Sequence, residues 1–329
     1  MSAFMFIHIG PCLPWAGTFF GEAPPRMIKH DKLTERQKRE IEYHKEHARQ
    51  HRHRYEHLSW DIIQNPNRRW WNQHWAMFTT LLQLDLAGKR TLVVGCGMGD
   101  DAFLLAKLGV DVYACDLSPD VLEIAKEVAE REQLKITFSE MAVEQMAYPS
   151  DFFDCIVVRD ILHHVEVPKA LSEITRVAKA GAHVIINEIY THSLPERIRR
   201  SALVEGYLYP LLKGVIYGNQ KPYITQDERK LNEHDLKRVL SIFADRPAFR
   251  FFDFIVNRLV PNSLGIVNKL DYIALNSVGP FGQYLAGRIL LDGVISKVVL
   301  VKKPKYSNPL TTEVQPVESF VGSSFSGEK

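Results

Sequence analysis

Cysteine is scarce in this chain of 329 residues: Cys12, Cys96, Cys115 and Cys155, with no C-x-x-C pair among them. A disulfide framework and a cysteine-built zinc site are thereby excluded as organising devices, and the three cysteines in or beside apolar runs read as buried, reduced thiols. Long apolar stretches are missing too: no run of 18 or more apolar residues occurs, so no segment reads as a membrane span. Neither charge sign dominates. The formal net charge is +2, too small a basic excess for nucleic acid, so DNA and RNA are not expected partners. No internal repeat is visible. With 46% hydrophobic and 24% charged residues, the composition is that of a globular domain expected in the cytoplasm.

The ends look unlike the middle. Residues 1–26 are apolar and rich in Gly and Pro, without the basic start of a secretory leader, and read as an extension outside the fold. Residues 27–88 read as an N-terminal helical lid. Within them, 33–58 is a charged helical stretch with Thr34 as its N-cap and Glu-to-Lys pairs along it. Six histidines fall between His30 and His57, and His47/His51 and His53/His57 are spaced i, i+4. A metal site is one reading of that spacing. No strand or loop supplies further obvious ligands, so a solvated helix face is preferred and no metal is expected. The tail, 305–329, is rich in Ser, Thr, Pro and Gly and reads as disordered.

From Lys89 onward strands and helices alternate. Strands are predicted near 90–95, 110–116, 134–139, 153–159 and 181–188, with helices near 100–108, 118–131, 142–147 and 167–178. Two later apolar strands are placed at Phe249 to Asn257 and at Ile295 to Lys302. Residues 189–247 and 260–293 interrupt this 89–304 domain and read as cap insertions over a pocket. The apolar character of the second permits a peripheral membrane contact, although helix packing is the plainer reading.

The most informative stretch is Thr91-Leu-Val-Val-Gly95-Cys96-Gly97-Met-Gly99-Asp100-Asp101, followed by a strand ending on Asp116 and Leu117. Glycines let backbone approach a ligand that a Cβ would repel, and an acid about twenty residues on can accept two ribose hydroxyls. The spacing is G-x-G-x-G, not the G-x-G-x-x-G of dinucleotide sites, and two acids open the helix. Carboxylates there would repel a pyrophosphate and suit a ligand carrying an ammonium or sulfonium charge.

This motif resembles the first motif of class I S-adenosylmethionine (SAM)-dependent methyltransferases. The resemblance covers roughly residues 70–190. The run from Ala142 to Asp154 aligns without gaps on that family's Asp-Ala-Glu-x-Leu-Pro-Phe segment, and Asp160-Ile-Leu-His163-His164 on its histidine-bearing segment. It implies a doubly wound, seven-stranded, mostly parallel Rossmann-like α/β sheet whose last two strands form an antiparallel edge pair. It implies SAM as cofactor and a small-molecule acceptor.

By the same resemblance, Gly95, Cys96, Gly97 and Gly99 would hold the methionine part of SAM, Asp116 and Leu117 the ribose, and Ala142 and Val143 the adenine. The backbone carbonyl of Arg159 would meet the methionine ammonium, and one of Trp71 or Asn72 would touch the cofactor. Two family acids are missing: Val93 and Ala142 stand in their places, and Asp100, Glu140 or Glu144 could substitute.

Transfer of an activated methyl asks mainly for alignment, plus a base where the acceptor is a hydroxyl or amine. His163 or His164 suits that role, and two structural histidines is the competing reading. Asp160, Glu188, Tyr190 and His192 converge on the same end of the sheet and are candidate acceptor contacts, as are Tyr217 and Tyr223 of the first insertion. A metal held by Asp160, Glu188 and His192 is weighed and not preferred. The expected activity is methylation of a bulky or lipophilic acceptor, most naturally at a hydroxyl oxygen. The alternatives are another reaction on the same fold, or a non-catalytic SAM-binding protein.

Overall fold

A computed structural model describes residues 33–65, 72–202, 204–208, 229–254 and 265–297. Expectations for residues 1–26, the tail from 305, Trp71, Tyr217 and Tyr223 lie outside the described residues.

The strands are β1 (Arg90–Val94), β2 (Asp111–Asp116), β3 (Ile136–Glu140), β4 (Phe153–Arg159), β5 (Ala178–Ile189), β6 (Ala248–Phe252) and β7 (Arg288–Val294). They form a single sheet of order β3-β2-β1-β4-β5-β7-β6. The first five run parallel, while β7 is antiparallel to both β5 and β6.

Alternation along each strand explains the two layers. Leu92, Val94, Ile156, Val158, Val184, Ile186, Ile289 and Leu291 point to one face. There they meet α6 (Val167–Val177) and α8 (Glu233–Leu240). Val93, Val112, Ala114, Cys155, Val157, Ile185 and Leu290 point to the other. There they meet α3 (Gln73–Leu81) and α4 (Asp100–Lys107). Each fully buried aliphatic side chain contributes about 1.5–3 kcal/mol. A helix starting at Ser118-Pro119, α5 (Pro119–Arg131), carries on its outer side α1 (Glu35–His51), through Ala48 against Val121, Ile124 and Val128. Thr34 caps α1 as expected, in a reciprocal pair with Gln37. A short helix, α2 (Asp61–Gln64), precedes α3. Two further helices are α7 (Ser193–Arg199) and α9 (Gly265–Ser277), the latter packed against β6.

Two expectations fail. Residues 142–147 form a turn, not a helix. Partners from α6 hold that segment in place: Glu173 accepts the Met146 N–H at 2.7 Å, and Arg176 donates to the carbonyls of Met146 and Tyr148. Strand β7 begins at Arg288, inside the span read as an insertion, and Ile295 lies past its end, in an isolated bridge to Phe243. Ile289-Leu290-Leu291 is apolar on both faces because Ile289 and Leu291 pack into one core layer and Leu290 into the other, and such a run cannot be told from a buried helix by period. Cys96, Cys115 and Cys155 are free and buried, and burial pushes the Cys115 and Cys155 thiols up to about 12.

Candidate active site

The chain order of the strands reverses between β1 and β4, the position at which open α/β sheets bind ligands beyond their carboxyl ends. A cavity of about 580 Å³ opens there. Its walls come from the segments leaving β1 to β5, and α1 covers it with Gln37, Glu40, His44 and His47.

The glycine turn forms one wall. Gly95 and Gly97 have φ of +63° and +53°. A Cβ at Gly95 would come within 2.7 Å of the Ile161 side chain, whereas one at Gly97 would meet no atom within 4 Å. Backbone at Gly97 therefore faces open space without a side chain. Asp116 stands beside it. One carboxylate oxygen accepts the Gly97 N–H at 2.8 Å and the other accepts the Ser118 N–H at 2.9 Å. Asp100, Cys96, Leu117, Ala142, Val143 and Glu144 line the same cavity. Of the acids considered as substitutes for the missing pair, Asp100 and Glu144 reach it, and Glu140 does not. Gly99, at φ +102°, does not line it either; a Cβ there would lie 2.5 Å from the Phe103 ring.

The two acids opening α4 diverge. Asp100 is half exposed, but Asp101 is buried and accepts from Arg159 Nε at 2.6 Å, with His74 Nε2 at 3.1 Å. Burial works to raise its carboxyl, and Arg159 and His74 outweigh burial and hold it well below the usual carboxylate range. Only one of the pair is thus offered to a cationic ligand. Arg159 itself lines the cavity.

The histidine segment lies opposite the glycine turn. His163 is buried, lines the cavity, and places Nδ1 2.6 Å from Glu188 Oε1. Glu188 is fully buried behind it, not in the cavity wall, and its carboxylate also accepts from the N–H groups of Ile161, Leu162 and Ile189. A carboxylate only accepts, so Nδ1 carries the proton and Nε2 is the nitrogen able to act on an acceptor. His164 packs tilted against His163, with 4.0 Å between ring centroids and 43° between the ring planes, and its Nδ1 lies 3.1 Å from Glu40 of α1.

The other candidates divide between the cavity and the rest of the fold. Asp160 lines the cavity at φ +54°, paired with Arg288. Burial opposes ionisation of Asp160, but Arg288 and Arg159 hold it below the usual range. Tyr190 is fully buried in the core, and His192 caps α7 by accepting from Leu194 N–H. Asn72 caps α3, accepting from Trp75 N–H at 3.0 Å, and does not line the cavity. Glu188, Tyr190 and His192 do not gather around one point as acceptor contacts. Among the described residues no cluster of His, Cys, Asp and Glu suited to a metal ion occurs.

Residues missed from the sequence are those of α1, together with Tyr55 and Arg288. Gln37, Glu40, His44 and His47 recur at i, i+3, i+7 and i+10, a helical stripe that is polar and so sends no hydrophobic signal. The solvated-face expectation for these histidines fails at His44, which burial and the neighbouring His164 keep below the usual histidine range despite the opposing pull of Asp116. Burial, with His51 and His44 nearby, lowers His47 to about 4.

A methyltransferase domain family matches residues 92–186. The chain is 30% identical over 189 residues to a ubiquinone biosynthesis O-methyltransferase of Coxiella burnetii, an alignment covering 49% of this chain and 76% of that protein.

The chain belongs to the class I SAM-dependent methyltransferases.

The methyltransferase is also 28% identical over 153 residues to a demethylmenaquinone methyltransferase of Clavibacter sepedonicus, covering 46% of this chain and 62% of that protein. Among solved structures it aligns with geranyl diphosphate C-methyltransferase from Streptomyces coelicolor A3(2) at TM-score 0.49 and 12% identity, over 83% of this chain and 100% of that one. SAM is its cofactor. The bare Gly97 backbone, beside the Asp100 and Asp116 carboxylates, fits a ligand that joins an adenosine sugar to a cationic amino-acid chain.

Proposed function

We propose that this methyltransferase methylates a hydroxyl oxygen of a bulky, lipophilic ring acceptor, of the kind that precedes a quinone, with His163 as base. The observation that carries this reading is the His163–Glu188 pair at the cavity wall. A buried carboxylate that holds Nδ1–H leaves Nε2 as the basic nitrogen of a ring that lines the cavity. The names of the two relatives, one a ubiquinone biosynthesis O-methyltransferase and the other a demethylmenaquinone methyltransferase, support the same acceptor class.

SAM supplies a methyl group on a sulfonium, which is already a good leaving group. Asp116 would accept from the ribose hydroxyls, charge-assisted bonds of the strong kind. Gly95, Cys96, Gly97 and Leu117 would present backbone beside it, and Ala142 and Val143 would flank the adenine. Asp100 would face the amino-acid end. For this chain the remaining tasks are to hold the acceptor oxygen in line, exclude water, and take its proton at His163 Nε2. Alignment supplies much of the rate, and α1 covers part of the cavity. The imidazolium formed on proton transfer is stabilised by Glu188 at 2.6 Å. His164 packs against His163 and its Nδ1 lies 3.1 Å from Glu40, which links the site to α1.

The test is transfer of a radiolabelled methyl from SAM to phenols and catechols, with and without isoprenoid tails, followed by mass spectrometry of the product. An O-methylated ring product is expected, with turnover lowered by about 10²–10⁴ in His163→Ala and SAM binding retained. Methyl found on carbon or nitrogen, or wild-type turnover in His163→Ala, would sink the assignment.

A further inference from the structure

A guanidinium is costly to take out of water, yet Arg288, the first residue of β7, lines the cavity with a side chain only 13% exposed. Its surroundings fix it in one place. Nη1 donates to Asp160 Oδ1 and to Asn187 Oδ1, the latter at 3.3 Å. Nε is enclosed, 3.5 Å from Asp253 Oδ2. Both acids adopt left-handed backbone, Asp160 at φ +54° and Asp253 at φ +63°, a conformation that costs a residue with a side chain about 1–3 kcal/mol. Asp160 directly follows β4 and Asp253 directly follows β6, while Asn187 belongs to β5, so three strands converge on one side chain. Strain carried by two acids around one group marks a group whose position matters.

The donors of this guanidinium are not all used. Those on Nε and Nη1 face the protein, whereas Nη2 donates to no described residue and, unlike Nε, is not closed off from solvent. In a side chain that lines the cavity, Nη2 is the edge left for a ligand. Position says which ligand. The sheet order runs β1-β4-β5-β7, so Arg288 stands three strand spacings, about 14 Å, from the glycine turn that leaves β1. Across the ladder it pairs with Ile189, next to Glu188, the partner of His163. Arg288 therefore belongs to the acceptor's half of the cavity and not to the cofactor's.

Charge narrows the chemistry. Two carboxylates, Asp160 and Asp253, surround one guanidinium. Arg159 also reaches Asp160, at 3.7 Å, but is itself engaged by the buried Asp101. The cluster keeps an excess of negative charge, which would repel a further anion and would not repel a neutral oxygen. We infer, on the reading that His163 takes a hydroxyl proton in this cavity, that Arg288 sets the choice of acceptor: Nη2 donates to a neutral carbonyl oxygen carried on the same molecule as that hydroxyl. An acceptor without the oxygen leaves a charged donor unanswered once water is displaced, and a site built to make such a bond discriminates strongly against a molecule that cannot.

The test is methyl transfer to matched phenols that carry, ortho, meta or para to the hydroxyl, either an acetyl or an ethyl group. An acetyl group also acidifies the phenol, so the quantity read is the acetyl-to-ethyl ratio of kcat/KM in wild type divided by the same ratio in Arg288→Gln. That quotient is expected to reach at least about tenfold at one ring position, the effect of one hydrogen bond from a charged donor, and to sit in KM. Should Arg288→Gln fail to bind SAM, Arg288→Lys replaces it, keeping a charge between Asp160 and Asp253. Where a phenol is not turned over, the quotient is read from its calorimetric titration into the chain loaded with S-adenosylhomocysteine. A quotient below about tenfold at every position would mean that Arg288 only ties strand ends together, and would overturn the proposal. A larger Arg288 effect for the matching carboxylates than for the acetyl phenols would assign an anion to Nη2 and overturn it too. The base is judged separately: methyl on carbon, or full turnover in His163→Ala, sinks the His163 assignment and leaves the quotient to be read.

Discussion

Replacing Glu188 by Gln removes one charge and almost no volume. The carboxylate accepts four bonds: Ile161 N–H at 3.0 Å and Leu162 N–H at 2.6 Å on one oxygen, His163 Nδ1 at 2.6 Å and Ile189 N–H at 3.0 Å on the other. A glutamine has one acceptor oxygen, so its NH₂ must face one of these pairs. Turned towards Ile161 and Leu162, it confronts two backbone donors. Turned towards His163, it loses only the Ile189 bond, and the imidazole can adapt by moving its proton to Nε2 and accepting at Nδ1. The second arrangement is cheaper, so stability should fall by about 1.5–3 kcal/mol, the worth of one bond to a charged group. The same adaptation makes Nε2 a donor, the wrong tautomer for a base. Turnover should therefore drop by roughly 10²–10⁴ while SAM affinity stays within about twofold. Urea unfolding, calorimetric SAM titration and methyl transfer measured on one preparation separate the three quantities. A turnover loss below about tenfold, with the stability loss observed, would refute the claim that Glu188 sets the His163 tautomer.

Asp116→Ala should weaken SAM binding by at least about 1.5–3 kcal/mol, the worth of one bond to a charged group, read by titration, because the proposed ribose acceptor and the anchor of the Gly97 N–H go together. Asp101→Asn should cost about 3 kcal/mol at neutral pH by leaving Arg159 without its buried partner. A depressed carboxyl contributes stability above its unfolded value and loses it on acidification, so the gap from wild type should close below about pH 3.8 in acid unfolding. His47, lowered to about 4, is neutral in the folded chain, so α1 should loosen as pH falls from about 6.5 towards 4. Limited proteolysis within α1 should rise over that window and rise less in His47→Gln.

The central sheet was legible because its strands are apolar runs punctuated by glycine, proline and acids at the ends. The glycine turn and Asp116 were legible for the same local reason: strand, turn, acid is a pattern within about twenty-five residues. What failed to show was polar or non-local. Residues 142–147 are helical by composition, and Glu173 and Arg176, nearly thirty residues away, hold them as a turn. Glu188 could be read as pointing at an acceptor, and only the packing of β5 against the segment after β4 turns it inward beneath His163. Asn72 and His192 were read as contacts because their types suit ligands, yet both are spent on helix ends.

The order of residues by itself determined a wound sheet with an adenosine-type cradle, since hydrophobic period and backbone freedom at glycine act within a few residues. Which acids meet the cradle, which histidine carries a carboxylate behind it, and which helix covers the cavity were decided by the tertiary structure. Those are matters of distance between segments far apart in the chain, and a charge is used or silenced only by what packing brings beside it.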